Sequence, residues 1–154
     1  MHGALLARGA TVAVAESLTA GLLAAALTAT PGASATVRGG VVVYATDLKV
    51  TLGGVPADLL AAHGPVSEPV TAALAAAVRV RLGATFGLAL TGVAGPTEQD
   101  GVAVGTVYAG LAAPDRTTVV HRTVLPGDRE QVRAGAVVAA LSLLGQELGL
   151  PSPG

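Results

Sequence analysis

Short uninterrupted apolar runs alternate along the chain with longer stretches in which apolar residues recur at helical spacing. Residues 1–8 read as a short amphipathic helix, and Thr11, Val12, Ala13, Val14 and Ala15 as a β-type run. The Ala/Leu-rich stretch 17–28 predicts a helix directly after that strand, stopped by Pro31 and Gly32. A second strand is predicted over residues 39–44. After it, Ala45, Thr46 and Asp47 have the chemistry to cap a short helix carrying Leu48 and Lys49. Pro56 opens a small helix that Gly64 ends, and Ser67, Glu68 and Pro69 start a longer Ala/Val helix running to Leu82 and Gly83.

Residues 85–91 predict a central strand, followed by a Gly-rich loop from Gly92 to Asp100 and Gly101 that is long enough to line a site. Residues 102–111 and 117–125 are β-rich and joined through Ala113, Pro114, Asp115 and Arg116, a hairpin pattern. Asp128 with Gln131 three positions on gives N-cap and N3 chemistry for a last helix reaching about Leu148. Strands separated by helices predict an α/β fold. We expect a three-layer α/β/α sandwich with a mixed, mostly parallel sheet and a late antiparallel hairpin. No repeat or linker divides the pattern, so residues 1–150 are expected to form one domain and 151–154 a frayed tail.

Composition narrows the classes. Of 154 residues, 51% are hydrophobic and 12% charged, which argues against a disordered chain and for elements buried on more than one face. The net charge is -1 with no basic stripe, so no direct nucleic-acid partner is expected. Without cysteine, thiolate metal sites and a Cys nucleophile are excluded. The longest uncharged stretch, 17–37, is interrupted by Ser, Thr, Gly and Pro31 and is too broken for a membrane span. The N-terminus lacks a signal-peptide pattern, and a cytoplasmic protein is expected. Ala-rich apolar helices suggest a homo-oligomer.

Several residues are candidates for chemistry. Ser17 falls where a strand turns into a helix, at the end of the sheet where ligands gather; it is either a nucleophile or an N-cap. Lys49 is the single lysine among nine Lys and Arg residues. Lys, unlike Arg, can lose its proton, so desolvated it serves as the base of a Ser/Lys pair; solvated, it is an ordinary helix lysine. Tyr44, at a strand end, either relays a proton or packs. The loop of Thr91, Gly92, Val93, Ala94, Gly95 and Pro96 has amides to cradle a phosphate or nucleoside but no Walker or dinucleotide spacing. Arg129 and Arg133, on successive turns of the last helix, pair with a ligand phosphate or form a solvated face. His2, His63 and His121 lack metal-ligand spacing, so no metal is predicted; His63 suits a helix end.

Six segments taken in order carry a resemblance. They are Ala15-Glu16-Ser17-Leu18-Thr19-Ala20-Gly21, Val43-Tyr44 with Lys49, Gly64-Pro65-Val66-Ser67-Glu68, Thr91-Gly92-Val93-Ala94-Gly95-Pro96, Val104-Gly105-Thr106-Val107 and Gly127-Asp128-Arg129. In order and spacing they resemble the CinA C-terminal family over nearly the whole chain. The resemblance implies an amidohydrolase of pyridine nucleotide salvage that converts nicotinamide mononucleotide to nicotinic acid mononucleotide and ammonia, without metal or cofactor. It implies Ser17 as nucleophile, Lys49 as its base and Tyr44 in support. Thr19, Gly21, Thr46, Thr91, Gly92, Ala94, Gly95, Arg129 and Arg133 are then expected around the substrate, with backbone N–H groups near the N-terminus of the helix after Ser17 stabilising the oxyanion.

The chain departs from the family's usual pattern at two places. Leu18 and Ala20 stand where a Cys and a Gly are common, and Val102-Ala103 where a Lys-Pro pair is common. A catalytically weak nucleotide-binding or interaction domain of the same fold is the alternative these departures suggest. Family members also occur fused to an N-terminal domain associated with pyrophosphatase activity; only the amidase half is expected in this chain.

Overall fold

The computed structural model describes residues 1–151. Helix α1 (His2–Ala7) leads into strand β1 (Val12–Glu16), helix α2 (Leu22–Thr28) and a 3-10 turn at Ala33–Ala35. Strand β2 (Val37–Val42), helices α3 (Leu48–Thr51), α4 (Ala57–His63) and α5 (Glu68–Arg81), and strand β3 (Phe86–Gly92) follow. The chain continues through β4 (Thr106–Ala112), β5 (Val119–Val124) and α6 (Arg129–Glu147). The expected tail lies, except for Pro151, outside the described residues. No helix among the described residues is long and apolar enough to cross a membrane.

The five strands form one mixed sheet in the order β2-β1-β3-β4-β5. Parallel pairing is confined to β2-β1 and β1-β3, while β3-β4 and β4-β5 are both antiparallel. The expected late hairpin is therefore present. Antiparallel pairing begins one strand earlier, because β3 is joined to β4 by a loop on the same sheet edge rather than by a crossover helix.

Alternation along the strands divides the core in two. Val12, Val14, Leu88 and Leu90 pack with Leu5, Leu23, Val132, Ala136 and Leu144, so α1, α2 and α6 cover one face. Ala13, Ala15 and Ala89 pack with Val70, Leu74, Ala75 and Val78 of α5 on the other face. The residues under α5 are small because the helix lies close to the strands. A Cβ added at Gly87 would stand 2.1 Å from the Ala75 carbonyl oxygen and 2.7 Å from the Arg79 Cβ. The three layers follow from this arrangement.

Two boundaries differ from the sequence reading by four residues or more, each for an identifiable reason. The predicted helix over 17–28 begins only at Leu22, because Ala20 and Gly21 have φ of 50° and 104° and interrupt right-handed helix. Strand β4 begins at Thr106 rather than near residue 102. Gln99 and Val102 exchange backbone hydrogen bonds of 3.1 and 2.8 Å around Asp100 and Gly101, whose φ values of 50° and 76° suit a tight two-residue hairpin. At α6 the predicted cap forms in full. The Asp128 carboxylate accepts from the Gln131 N–H at 3.0 Å, and the Gln131 side-chain oxygen accepts from the Asp128 N–H at 2.8 Å.

Gly87→Ala should lower unfolding stability by about 1–3 kcal/mol, since the new methyl meets backbone rather than a yielding side chain. Urea denaturation would show the midpoint falling; an unchanged midpoint would mean that α5 can lift without loss.

Candidate functional site

The parallel strands β2, β1 and β3 all finish on one edge of the sheet, at Val42, Glu16 and Gly92. The loops that follow them meet there around a cavity of about 420 Å³. Because β5 runs antiparallel to β4, it also ends on this edge and delivers the start of α6 to the same place.

Ser17 continues directly from β1, and its N–H extends the β1-β3 ladder by donating to the Leu90 carbonyl at 3.1 Å. Its position is thus set by the sheet, and its side chain forms no helix cap. Lys49 comes from the other side, on the single turn of α3. The Asp47 side chain makes no cap there; the turn is held by backbone bonds, and the Lys49 carbonyl accepts from the Val55 N–H at 2.9 Å. Gly53 permits that fold-back, as a Cβ there would lie 2.6 Å from the Lys49 oxygen.

The two side chains meet at the cavity floor. Lys49 Nζ lies 3.2 Å from Ser17 Oγ and 3.1 Å from the Val43 carbonyl oxygen. Lys49 is 2% exposed and Ser17 8%. A buried ammonium has three protons to satisfy, and two protein acceptors face this one. Desolvation by burial pushes the Lys49 pKa below its ordinary value of 10.5, toward the neutral amine that can accept a proton.

The turn after Ser17 differs from what the sequence suggested. The Glu16 side chain, 1% exposed, folds forward and accepts from the N–H groups of Gly21, Leu23 and Ala24 at 3.0, 3.0 and 2.8 Å. The Leu22 N–H donates to the Thr19 carbonyl. The N-terminus of α2 is therefore occupied by a carboxylate, and its amides are not available to an oxyanion, contrary to the expectation from a helix following Ser17. Over residues 17–24, Ser17 N–H donates to Leu90 and Ala20 N–H to the Ser17 carbonyl. Only the N–H groups of Leu18 and Thr19 in that stretch lack an acceptor among the described residues.

The residues singled out in the sequence divide into two groups. Ser17, Tyr44, Thr46, Lys49, Gly92, Ala94, Gly95 and Arg129 line the cavity. Thr19, Gly21, Thr91 and Arg133 do not. Thr91 is buried, with its hydroxyl 2.8 Å from that of Thr71, and Gly21 serves the Glu16 cap. Thr19 is fully buried, with its hydroxyl unpartnered among the described residues. Arg133 donates to the carbonyls of Leu18 and Thr19 at 2.9 and 3.1 Å, behind the turn rather than into the cavity. Arg129 donates to the Tyr44 hydroxyl at 2.8 Å and the Gly95 carbonyl at 2.7 Å, bridging two rim loops. Tyr44 is 55% exposed. Thr97, Glu98 and Gln99 also line the rim. They were not named individually from sequence, although the long loop after Gly92 marked their segment. The three histidines stand apart: His2 beside Thr36, His63 at the end of α4 and His121 on β5.

Comparison with known proteins places this geometry. The model of the CinA C-terminal domain matches residues 1–148. The chain belongs to this family. A CinA-like protein of Frankia casuarinae is 57% identical over 151 residues, covering 97% of this chain and 35% of that protein. Another from Mycolicibacterium gilvum is 49% identical over 146 residues, covering 94% and 35%. The chain thus spans about a third of the length of these curated relatives. Among solved structures, a CinA superfamily protein of Klebsiella pneumoniae superposes with a TM-score of 0.91 at 36% identity, covering 96% of this chain and 92% of that one. The competence/damage inducible protein CihA of Agrobacterium tumefaciens gives 0.88 at 33% identity, covering 94% and 88%.

The departures from the CinA pattern now have locations. Leu18 is buried in the core under α6 and also lines the cavity. Ala20 holds a φ of 50°, in the left-handed region. Ala20→Gly should therefore stabilise the chain by about 1 kcal/mol, the left-handed strain relieved exceeding the added unfolded-state entropy. Chemical denaturation would read this as a raised midpoint, and a lowered one would mean that the turn gains nothing from glycine.

Lys49 also sets a pH dependence of stability. Its native pKa lies below the unfolded value, so through the window between the two the unfolded chain holds the extra proton and stability rises with pH. Compared with Lys49→Met, which cannot titrate, the wild-type chain should gain stability as pH rises toward 10.5. Parallel denaturation series on the two proteins should converge or cross; a constant gap would show that Lys49 titrates normally.

Proposed function

We propose that the chain is an amidohydrolase that deamidates nicotinamide mononucleotide, with Ser17 as nucleophile and Lys49 as general base. The observation that carries this reading is the buried 3.2 Å pairing of Lys49 Nζ with Ser17 Oγ on the floor of a 420 Å³ cavity. A lysine without a carboxylate partner among the described residues and shielded from water is costly to keep charged, and its use is as a base. Membership in the CinA C-terminal domain family supports the same chemistry.

In this scheme the neutral amine of Lys49 takes the Ser17 hydroxyl proton as Oγ attacks the carboxamide carbon. The Val43 carbonyl accepts from the amine and holds its direction. The negative oxygen of the tetrahedral intermediate is received by the free N–H of Leu18, which lines the cavity. The intermediate collapses by breaking the carbon–nitrogen bond, and Lys49 returns the proton to the departing ammonia. Water then attacks the nicotinoyl ester of Ser17, with Lys49 accepting a proton from the water; the acid leaves and Oγ is reprotonated. Arg129 at the rim supplies positive charge for the phosphate, beside Thr46 and the loop amides of Ala94 and Gly95. A phosphate taking up Arg129 would compete with its bonds to Tyr44 and Gly95.

The test is ammonia release from nicotinamide mononucleotide by the purified protein, with Ser17→Ala and Lys49→Arg beside it. Each variant should lose at least about a hundredfold in kcat. In the wild-type protein, kcat should rise with pH along a limb with its inflection below 10.5, as Lys49 loses its proton. Full turnover by Ser17→Ala would overturn the scheme. A silent wild type that binds the nucleotide in calorimetry would favour a binding domain instead.

A further inference from the structure

We infer that Thr71 is a positioning residue: through a chain of hydroxyl groups it seats Val66 as an apolar wall that keeps water from the Lys49 and Ser17 pair. The inference rests on the Ser17/Lys49 reading and adds to it a residue that lies outside the cavity.

The cavity lining comes from the segments that follow β1, β2 and β3, from the turn of α3 and from α6, with one exception. Val66 arrives from the connection between α4 and α5. It is buried and makes no backbone hydrogen bond among the described residues, so its place is set by its neighbours. Ser67, next along, occupies the N-cap position of α5, yet its side chain caps nothing there. Its hydroxyl instead donates to the Gly64 carbonyl at 3.0 Å and closes the turn that carries Val66.

Thr71 holds that turn from the inside. Its Oγ lies 2.7 Å from the Ser67 carbonyl oxygen and 2.8 Å from Thr91 Oγ, and both threonines are 0% exposed. A carbonyl oxygen only accepts, so the one hydroxyl proton of Thr71 goes to Ser67 and the Thr91 hydroxyl donates to Thr71. The chain thus runs from the end of β3 to the turn of Val66. Thr91 immediately precedes Gly92, where the loop after β3 begins to line the cavity, so two walls are tied together. On the far side Gly110 of β4 makes room for the Thr71 methyl, since a Cβ there would stand 3.1 Å from Thr71 Cγ2. A methyl in place of Thr71 Oγ cannot sit as close to two oxygens as the hydroxyl does. Thr71→Val therefore pushes the Ser67 turn outward and leaves the buried Thr91 hydroxyl without its acceptor.

Lys49 reads the consequence. It is 2% exposed, and desolvation holds its pKa below the ordinary value. Water admitted past Val66 solvates the ammonium and returns the pKa toward 10.5. The other titratable or charged side chains lining the cavity are Tyr44, Glu98 and Arg129. Asp47 precedes α3, Glu16 turns its oxygens to the amides of α2, and His63 and Glu68 flank the Val66 segment without lining the cavity. All of these remain in place when Thr71 or Val66 is changed.

Lys49 is the single lysine of the chain, so the full-length protein labelled with carbon-13 at lysine Cε gives one side-chain signal whose shift follows its titration directly. Wild type is compared with Thr71→Val, Thr71→Ser and Val66→Ala, and ammonia release from nicotinamide mononucleotide is followed beside the spectra. Thr71→Val and Val66→Ala should both move the titration midpoint upward, toward 10.5, and lower kcat at neutral pH by about threefold or more. Thr71→Ser, which keeps the hydroxyl, should stay near wild type even though it loses a buried methyl. Thermal midpoints separate this effect from loss of stability, and Ser67→Ala, which opens the same turn at a partly exposed position, takes the place of Thr71→Val if that variant does not fold. A folded Thr71→Val whose Lys49 titrates as in wild type would overturn the inference, as would a Thr71→Ser that shifts as far as valine. A Val66→Ala without a shift would remove Val66 as the wall, and a wild-type Lys49 titrating at its ordinary value would remove the exclusion of water itself. If wild type shows the lowered midpoint but releases no ammonia, the substrate reading fails while the spectra still decide the role of Thr71.

Discussion

Glu16 ends β1 with its side chain almost fully buried, and three backbone N–H groups converge on its two oxygens. A carboxylate in that position replaces the usual helix cap and complements the positive end of α2. It also fixes the path of the intervening turn. Residues 17–21 must leave the strand, expose Ser17 to the cavity and bring the amides of Gly21, Leu23 and Ala24 back to Glu16. The left-handed backbone at Ala20 and Gly21 is the conformational cost of that reversal. The rest of the site depends on this constraint, because a helix continuing directly from Ser17 would bring different atoms to Lys49.

Helix α6 secures the arrangement from the outside. Arg129 and Arg133 stand one turn apart on a helix whose start is locked by the Asp128 and Gln131 box. Arg129 reaches the loop after β2 through Tyr44 and the loop after β3 through Gly95, while Arg133 reaches the turn after β1. One element thus ties together the ends of the three parallel strands. The side chains that do so differ in surroundings. Arg133 is partly buried and bonds carbonyls alone, whereas Arg129 is exposed and lines the cavity.

Much of this was legible from residue types. The spacing of Asp128 and Gln131 gave the start of α6, because a capping box is local and involves residues three apart. The lone lysine in an arginine-rich chain drew attention to position 49, and Gly and Pro punctuation located α4 and α5. The beginning of α2 was not legible. Ala and Leu favour helix throughout 17–28, and nothing local shows that the Glu16 side chain will fold forward over five to eight residues. Arg133 misled for a similar reason. An arginine near a cavity suits an anion, and only the packing of α6 against the turn shows that its Nε and one terminal nitrogen already donate to backbone carbonyls.

The contrast between the two faces of the sheet bears on how such a chain can vary. On the α6 side, branched aliphatic residues fill the space, and exchanges of similar volume can be absorbed by neighbours that shift rotamer. On the α5 side, Gly87 and the strand alanines bring helix backbone close to strand backbone, and at Gly87 an added methyl meets the Ala75 carbonyl rather than a side chain that could shorten. Sequence drift is therefore channelled. The α5 layer behaves as a rigid keel that accepts almost no enlargement, and novelty has to enter through the opposite layer and through the rim loop of Thr97, Glu98 and Gln99, where a change in length or charge leaves the keel untouched.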